Sequence, residues 1–177
     1  MPQITIKHFK SPFGELILGA FDHKLCLCDW QYRKQRTAID NRISKGLNAE
    51  FIVGESEVIT ETITQLNSYF KGELKQFTIP LLFVGTDFQK QVWKALLTIN
   101  FGTTESYLGL SKRLNNQKAI RAVGTANGAN AISILVPCHR IIGSNGSLVG
   151  YAGGLPAKKK LLQLENVILN DQLNLFT

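Results

Sequence analysis

A chain of 177 residues, 44% hydrophobic and 19% charged, holds enough apolar material for one globular unit or two small ones and is not disordered. Lysine and arginine exceed aspartate and glutamate by 20 − 13 = 7, an excess that suits a polyanionic partner such as nucleic acid. No apolar run is long enough to span a bilayer, no export signal opens the chain, and three cysteines make an odd count, so free thiols in a cytoplasmic setting are expected and a membrane partner is not.

Residues 4–9 alternate apolar and polar, as a half-buried strand does, and Ser11-Pro12-Phe13-Gly14 makes a turn. Residues 15–20 read as a second strand and, after Asp22-His23, residues 24–30 as a third. Strand alternation puts Cys26 and Cys28 on one face. With His23 they hint at zinc, but a structural site needs four ligands and only His8 lies near, so small core residues are expected and no metal. Residues 31–50 are polar and mixed in charge and read as a surface excursion or a poorly ordered helix. Apolar residues at Val58, Ile59, Ile63, Leu66 and Tyr69 predict a helix over 55–69, followed by an extended stretch over 74–84. Gly85 marks a domain boundary, and the first half carries no chemical constellation.

Thr86 and Gln89 have the spacing of a capping box before a helix with Val92, Leu96 and Ile99 on one stripe. Residues 104–114 and 117–126 read as two more helices joined at Asn115-Asn116, a possible helix-turn-helix. The second of them is rich in small residues (Ala119, Ala122, Gly124, Ala126), which suits close packing against protein or nucleic acid alike. Ile134-Leu135-Val136 then reads as a buried strand stopped by Pro137, with a lone thiol, Cys138, next to His139 and Arg140. Two cations beside a thiol favour the nucleophilic thiolate, while an inert buried thiol is the alternative; spacing leaves both open.

Pro137-Cys138-His139-Arg140 resembles the active-site signature of the methylated-DNA–protein-cysteine methyltransferases, which repair O6-alkylguanine. Phe88 to Leu96, Ser106-Tyr107, Arg121-Ala122-Val123-Gly124, Asn127-Gly128-Ala129-Asn130 and Gly150-Tyr151-Ala152-Gly153-Gly154 resemble that family in order, as does Ser11-Pro12-Phe13-Gly14 near the start. The resemblance implies an α+β protein: a ribonuclease-H-like α/β domain over 1–85 and a mostly helical, winged-helix-like domain over 86–177 carrying the helix-turn-helix. It implies irreversible transfer of one alkyl group from guanine O6, with thymine O4 as a second target, to Cys138, and no cofactor. His139, through a water, would take the thiol proton, Glu165 would hold the imidazole, and Asn130 would brace the turn.

The same resemblance makes the partner duplex DNA, entered from the minor groove by a monomer, with cooperative binding of several copies an open question. Arg121 would replace the flipped base, Tyr107 would press on its phosphate, and Ala122, Gly124 and Ala126 would let the helix lie close. Arg140 is expected at the DNA too, and Lys112, Arg113 and residues 158–160, all lysine, could meet phosphates. Val136, Val149, Tyr151 and Ala152 would frame the base. Three positions depart from common members: Asn100 stands for a proline, which would loosen its turn, Ala152 for a serine, and Lys160 for a tryptophan. A lesion sensor without transfer, a helix-turn-helix regulator and a cysteine hydrolase are the competing readings; the nucleophile at Cys138 disfavours the first, and the last would need an oxyanion hole and a remote base that only His8 or His23 could supply.

Overall fold

A computed structural model describes residues 1–167 and 169; the end of the second predicted domain lies outside the described residues. Three antiparallel strands, β1 (Gln3–Ser11), β2 (Gly14–Phe21) and β3 (Lys24–Trp30), open the chain. Asp22 and His23 both take left-handed conformations, φ 48° and 60°, the geometry of a two-residue hairpin turn whose twist matches its strands. Residues 31–50 are not an excursion: they form α1 (Arg36–Leu47) and the start of β4 (Glu50–Val53), which pairs parallel to β1 and completes the sheet order β3-β2-β1-β4. Two apolar residues four apart, Ile39 and Ile43, suffice to anchor α1 on the sheet, where both are buried.

Cys26 and Cys28 do not share a face. The β2–β3 register slips between Gly19 and Ala20, leaving Cys26 as the extra residue of a bulge. Cys26 therefore packs in a small cluster with Ile4, Ile17 and Ile43, while Cys28 enters the main core with Leu16, Leu18 and Trp30. Both thiols are pushed up by burial, that of Cys26 to about 12.

Helix α2 (Glu57–Phe70) buries Ile59, Leu66 and Tyr69. The extended stretch after it lies beside β3, where Leu25 N–H donates to Pro80 O and Leu82 N–H donates to Leu25 O. Helix α3 (Asp87–Leu96) begins with the expected capping box, Gln89 N–H donating to Thr86 Oγ1 at 3.1 Å and Thr86 N–H to Gln89 Oε1 at 2.9 Å. The next pattern starts with a two-residue strand, β5 (Glu105–Ser106), before α4 (Tyr107–Arg113); a single 3-10 turn then leads into α5 (Ile120–Gly128). Helix α5 buries Val123, Ala126 and Asn127 and turns Arg121 and Ala122 to solvent. Trp93 Nε1 of α3 donates to Ala126 O at 2.8 Å, tying the two helices together.

The apolar run 134–136 is not a strand. Ile134 sits at φ 74°, and Leu135 N–H, Val136 N–H and Cys138 N–H donate backward to Ser133 O, Ile132 O and Val136 O, so the chain coils. Periodicity cannot separate a buried coil from a buried strand when every side chain is apolar. The strand-like contact comes earlier: Cys28 N–H donates to Ala131 O and Ser133 N–H to Cys28 O, stitching residues 131–133 onto the free edge of β3. After the Cys138 turn, β6 (Ile141–Ile142) pairs parallel to β5, and α6 (Leu155–Leu164) closes the described chain. The main core spans both halves, from Leu16 and Trp30 to Trp93, Val136, Ile141 and Leu161.

Candidate active site at the Cys138 turn

Pro137 fixes the backbone entering a single 3-10 turn, Cys138–Arg140. Cys138 is only 4% exposed and forms part of the wall of a cavity of about 860 Å³. Tyr107, Gly124 and Asn127 line one side, and Gly150, Tyr151 and Ala152 another. Val136 and Val149, expected to frame a base, do not line it; Val136 is wholly buried, and Val149 is exposed, its carbonyl accepting from Tyr107 Oη at 3.1 Å. Tyr32 and Arg33 also line the cavity, from the half whose sequence carried no chemical motif.

Asn130 braces the turn. Its Nδ2 donates to Val136 O at 2.9 Å and to Cys138 Sγ at 3.2 Å, while Oδ1 accepts from Ile132 N–H at 2.9 Å. Burial pushes the Cys138 thiol up; the Asn130 donor and the charges of Lys158 and Arg33 pull it back only in part. The resting group is therefore a protonated thiol that needs a base, and the cations acting on it are not the adjacent His139 and Arg140.

His139 is fully buried, and its Nε2 lies 2.7 Å from Glu165 Oε1. A carboxylate only accepts, so Nε2 carries the proton and Nδ1 keeps the lone pair. Nδ1 is buried and has no hydrogen-bond partner among the described residues. Glu165 also accepts from Tyr69 Oη at 2.7 Å, from Arg140 Nε at 2.9 Å and Nη2 at 3.0 Å, and from Gly102 N–H at 3.3 Å. Burial alone would raise its carboxyl, but the hydrogen bond from His139 and the hydrogen bonds and charge of Arg140 outweigh that and hold it well below the usual carboxylate range. Burial holds His139 below its ordinary value despite Glu165, so the pair stands as neutral imidazole donating to carboxylate.

Two cations expected at the DNA are elsewhere. Arg140 points inward, ion-paired to Glu165 and donating from Nη1 to Ile99 O at 2.6 Å, because a buried carboxylate needs a matching charge. Lys158 is fully buried, its ammonium donating to Ile141 O and, at 3.1 Å each, to Val149 O and Gly150 O. Burial draws it down to about 8. Lys160 stays exposed, its ammonium 5.8 Å from the centroid of the Phe13 ring. Ala126, expected on the DNA face, is buried between α5 and α3. Arg121, Ala122 and the intermediate Gly124 remain on the outer side of α5. The turn at Asn100 is closed, its carbonyl accepting from Thr103 N–H and Oγ1.

Sequence reasoning missed the polar joint between the halves. Asp29, fully buried, pairs with Arg33 and Arg36 at 3.0 Å each and accepts from Ser133 Oγ at 3.1 Å. Arg33 also donates to Gly128 O and to Asn130 O, and Arg42 to Ala129 O, covering carbonyls at the C-terminal end of α5. The signal was present as Asp29, Arg33 and Arg36, a spacing that a polar surface helix shows equally well. On the far wall Trp30 Nε1 donates to Tyr151 Oη at 3.1 Å, and a Cβ at Gly153 would come within 2.6 Å of the indole, so only glycine fits there. Among the described residues no group of three or more His, Cys, Asp or Glu could hold a metal, and no helix is long and apolar enough to cross a membrane.

Two family models divide this chain between them. Residues 4–83 match the 6-O-methylguanine DNA methyltransferase ribonuclease-like domain, and residues 87–167 match the DNA binding domain of the same proteins. The chain belongs to the methylated-DNA–protein-cysteine methyltransferase family. The methyltransferase of Mycolicibacterium paratuberculosis is 49% identical over 176 residues, covering 98% of this chain and 99% of that one. That of Methanosarcina acetivorans is 42% identical over 157 residues, 89% of this chain and 95% of its relative. The crystal structure of Mycobacterium tuberculosis OGT in complex with DNA superposes with TM-score 0.78 at 39% identity, covering 99% of both chains. The α+β arrangement of a small sheet half and a helical half is thus that of this methyltransferase family.

Proposed function

We propose that this protein repairs DNA by moving one alkyl group from guanine O6 to its own Cys138. The observation that carries the reading is the arrangement behind the thiol: a protonated Sγ held by Asn130, with a neutral His139 fixed by Glu165 so that its lone pair is on Nδ1. His139 takes the thiol proton across a water, the thiolate attacks the alkyl carbon, an S–C bond forms, and the C–O6 bond breaks. The departing guanine oxygen carries the electron pair, and the proton taken from the thiol passes from His139 to the guanine, leaving both neutral. A thioether is a poor leaving group, so each molecule acts once. Thymine O4, carrying the same alkyl linkage, is the second substrate to test.

The target lies inside a duplex, so it must leave the stack to reach a thiol at the cavity wall. Exposed Arg121 on α5 fills its place, Tyr107 at the cavity edge presses on its phosphate, and Ala122 and Gly124 let α5 enter the minor groove. Minor-groove entry reads little sequence, which suits repair in any context. Supporting DNA as partner are the excess of 20 basic over 13 acidic residues and the DNA complex of the M. tuberculosis relative. The protein works as a cytoplasmic monomer divided near residue 85, the first part supporting and the second binding DNA.

Intact and peptide mass spectrometry after mixing with duplex DNA carrying one O6-methylguanine tests this. One methyl increment on the Cys138 peptide, stopping at one per protein, is expected. Lesion-selective binding with no increment would replace the transferase by a sensor.

A further inference from the structure

One donor in the assembly behind Cys138 comes from the opposite half of the chain. Tyr69, near the C-terminal end of α2, is wholly buried, and its ring lies 5.5 Å from that of Phe70, 5.4 Å from Phe77 and 6.1 Å from Phe101. Those contacts need only a ring; phenylalanine would make them all. The hydroxyl instead reaches Glu165 Oε1 at 2.7 Å. Because a carboxylate only accepts, the phenol donates, and burial together with the Glu165 charge raises Tyr69 well above its ordinary value, so the proton stays on. Oε1 thereby takes three donors: Tyr69 Oη, His139 Nε2 and Arg140 Nη2. Each donor withdraws charge from the oxygen that orients the imidazole.

We propose that Tyr69 is a positioning residue for alkyl transfer: its hydroxyl pins Glu165 Oε1 and sets how strongly the carboxylate favours an imidazolium at His139. The proposal rests on the transferase reading. It makes the base assembly a joint product of both halves and gives the N-terminal half a part in the chemistry. The charged and titratable groups facing the pair are Tyr69 from α2, Arg140 from the Cys138 turn and Lys158 from α6, with the Tyr151 ring 6.4 Å from that of His139. Among the described residues, Arg140 and Lys158 oppose an imidazolium and Glu165 favours one.

The test is the pH profile of methyl transfer at saturating duplex, for the full-length wild type, Tyr69→Phe, and a protein with 3-fluorotyrosine placed at position 69. Phenylalanine removes the donor and leaves more charge on Oε1, so the imidazolium is favoured and the acid limb moves up. A shift of about half to one pH unit is expected, which is roughly three- to tenfold less transfer below the limb. Fluorotyrosine is a stronger donor and moves the limb down. Affinity for unmodified duplex stays within about twofold in both, since a buried phenol meets no phosphate. Profiles that superpose on wild type, with transfer intact, would leave Tyr69 as a space-filling ring and overturn the proposal. Should the phenylalanine variant fail to fold, the fluorotyrosine arm decides alone. A wild type that transfers nothing sinks the transferase reading itself, and the wild-type arm shows that separately.

Discussion

The turn that carries Cys138 and the helix that carries Arg121 serve one cavity, yet they are held in opposite ways. Around the turn every charge is buried and answered: Glu165 accepts from three side chains, Asn130 spans the coil, and Lys158 gathers three carbonyls. Among the described residues, helix α5 is held at its back, through Val123, Ala126, the Trp93 indole and the Arg33 and Arg42 donors at its end, and its outer face carries small residues around Arg121. Chemistry needs a sulfur fixed within tenths of an ångström. Insertion into a base stack needs a face that projects little and commits to no partner. Damage to the turn should therefore show in rate and stability together, and damage to the face in DNA handling alone.

The largest effect belongs to the nucleophile. Cys138→Ser keeps a group for Asn130 to hold but has no nucleophile for an alkyl carbon, so mass spectrometry should find no alkyl uptake while lesion binding survives. Glu165→Gln is next. It leaves the Arg140 charge buried without a counter-charge, which costs about 3–5 kcal/mol in the melting equilibrium, and it slows transfer in single-turnover kinetics. It also alters the acid response. The depressed Glu165 carboxyl contributes stability that is present above its ordinary value of 4.5 and lost as pH falls through the folded value. Wild type should lose stability on acidification below that point more steeply than Glu165→Gln.

Alkylation of Cys138 adds a group to a sulfur that is 4% exposed and already bonded to Asn130. The product should melt earlier by about 1–3 kcal/mol, the usual cost of overfilling a packed site, and an unchanged or higher melting temperature would contradict this. The smallest effect on stability belongs to the bare face: Arg121→Ala should leave unfolding within about 0.5 kcal/mol, while single-turnover transfer from duplex DNA falls and transfer from the free base does not. Equal losses on both substrates would mean that α5 shapes the pocket and does not act on the stack.

Elements governed by local rules were readable from residues alone. The capping box at Thr86 needs two side chains three apart, the hairpin at Asp22-His23 needs a tight polar turn, and the small-residue pattern of α5 survives in its exposed Ala122 and half-buried Gly124. What escaped depends on partners far along the chain. Arg140 and Lys158 look like surface cations until Glu165 and the carbonyls of 141, 149 and 150 surround them. Residues 31–36 look like part of a surface excursion or a poorly ordered helix until Asp29 and the carbonyls of 128 and 130 give Arg33 an interior. Ile134 shows the same limit in the backbone, since nothing local announces a left-handed residue inside an apolar run.

The two tryptophans fall one to each region. Trp30 donates its indole hydrogen to Tyr151 on the cavity wall, and Trp93 donates its own to Ala126 behind the outer face of α5. Intrinsic fluorescence is therefore divided by geography: with Trp93→Phe the remaining emission watches the base cavity, and with Trp30→Phe it watches the helix. The order in which the two signals change after mixing with duplex would time groove entry against base capture, without any label on the DNA.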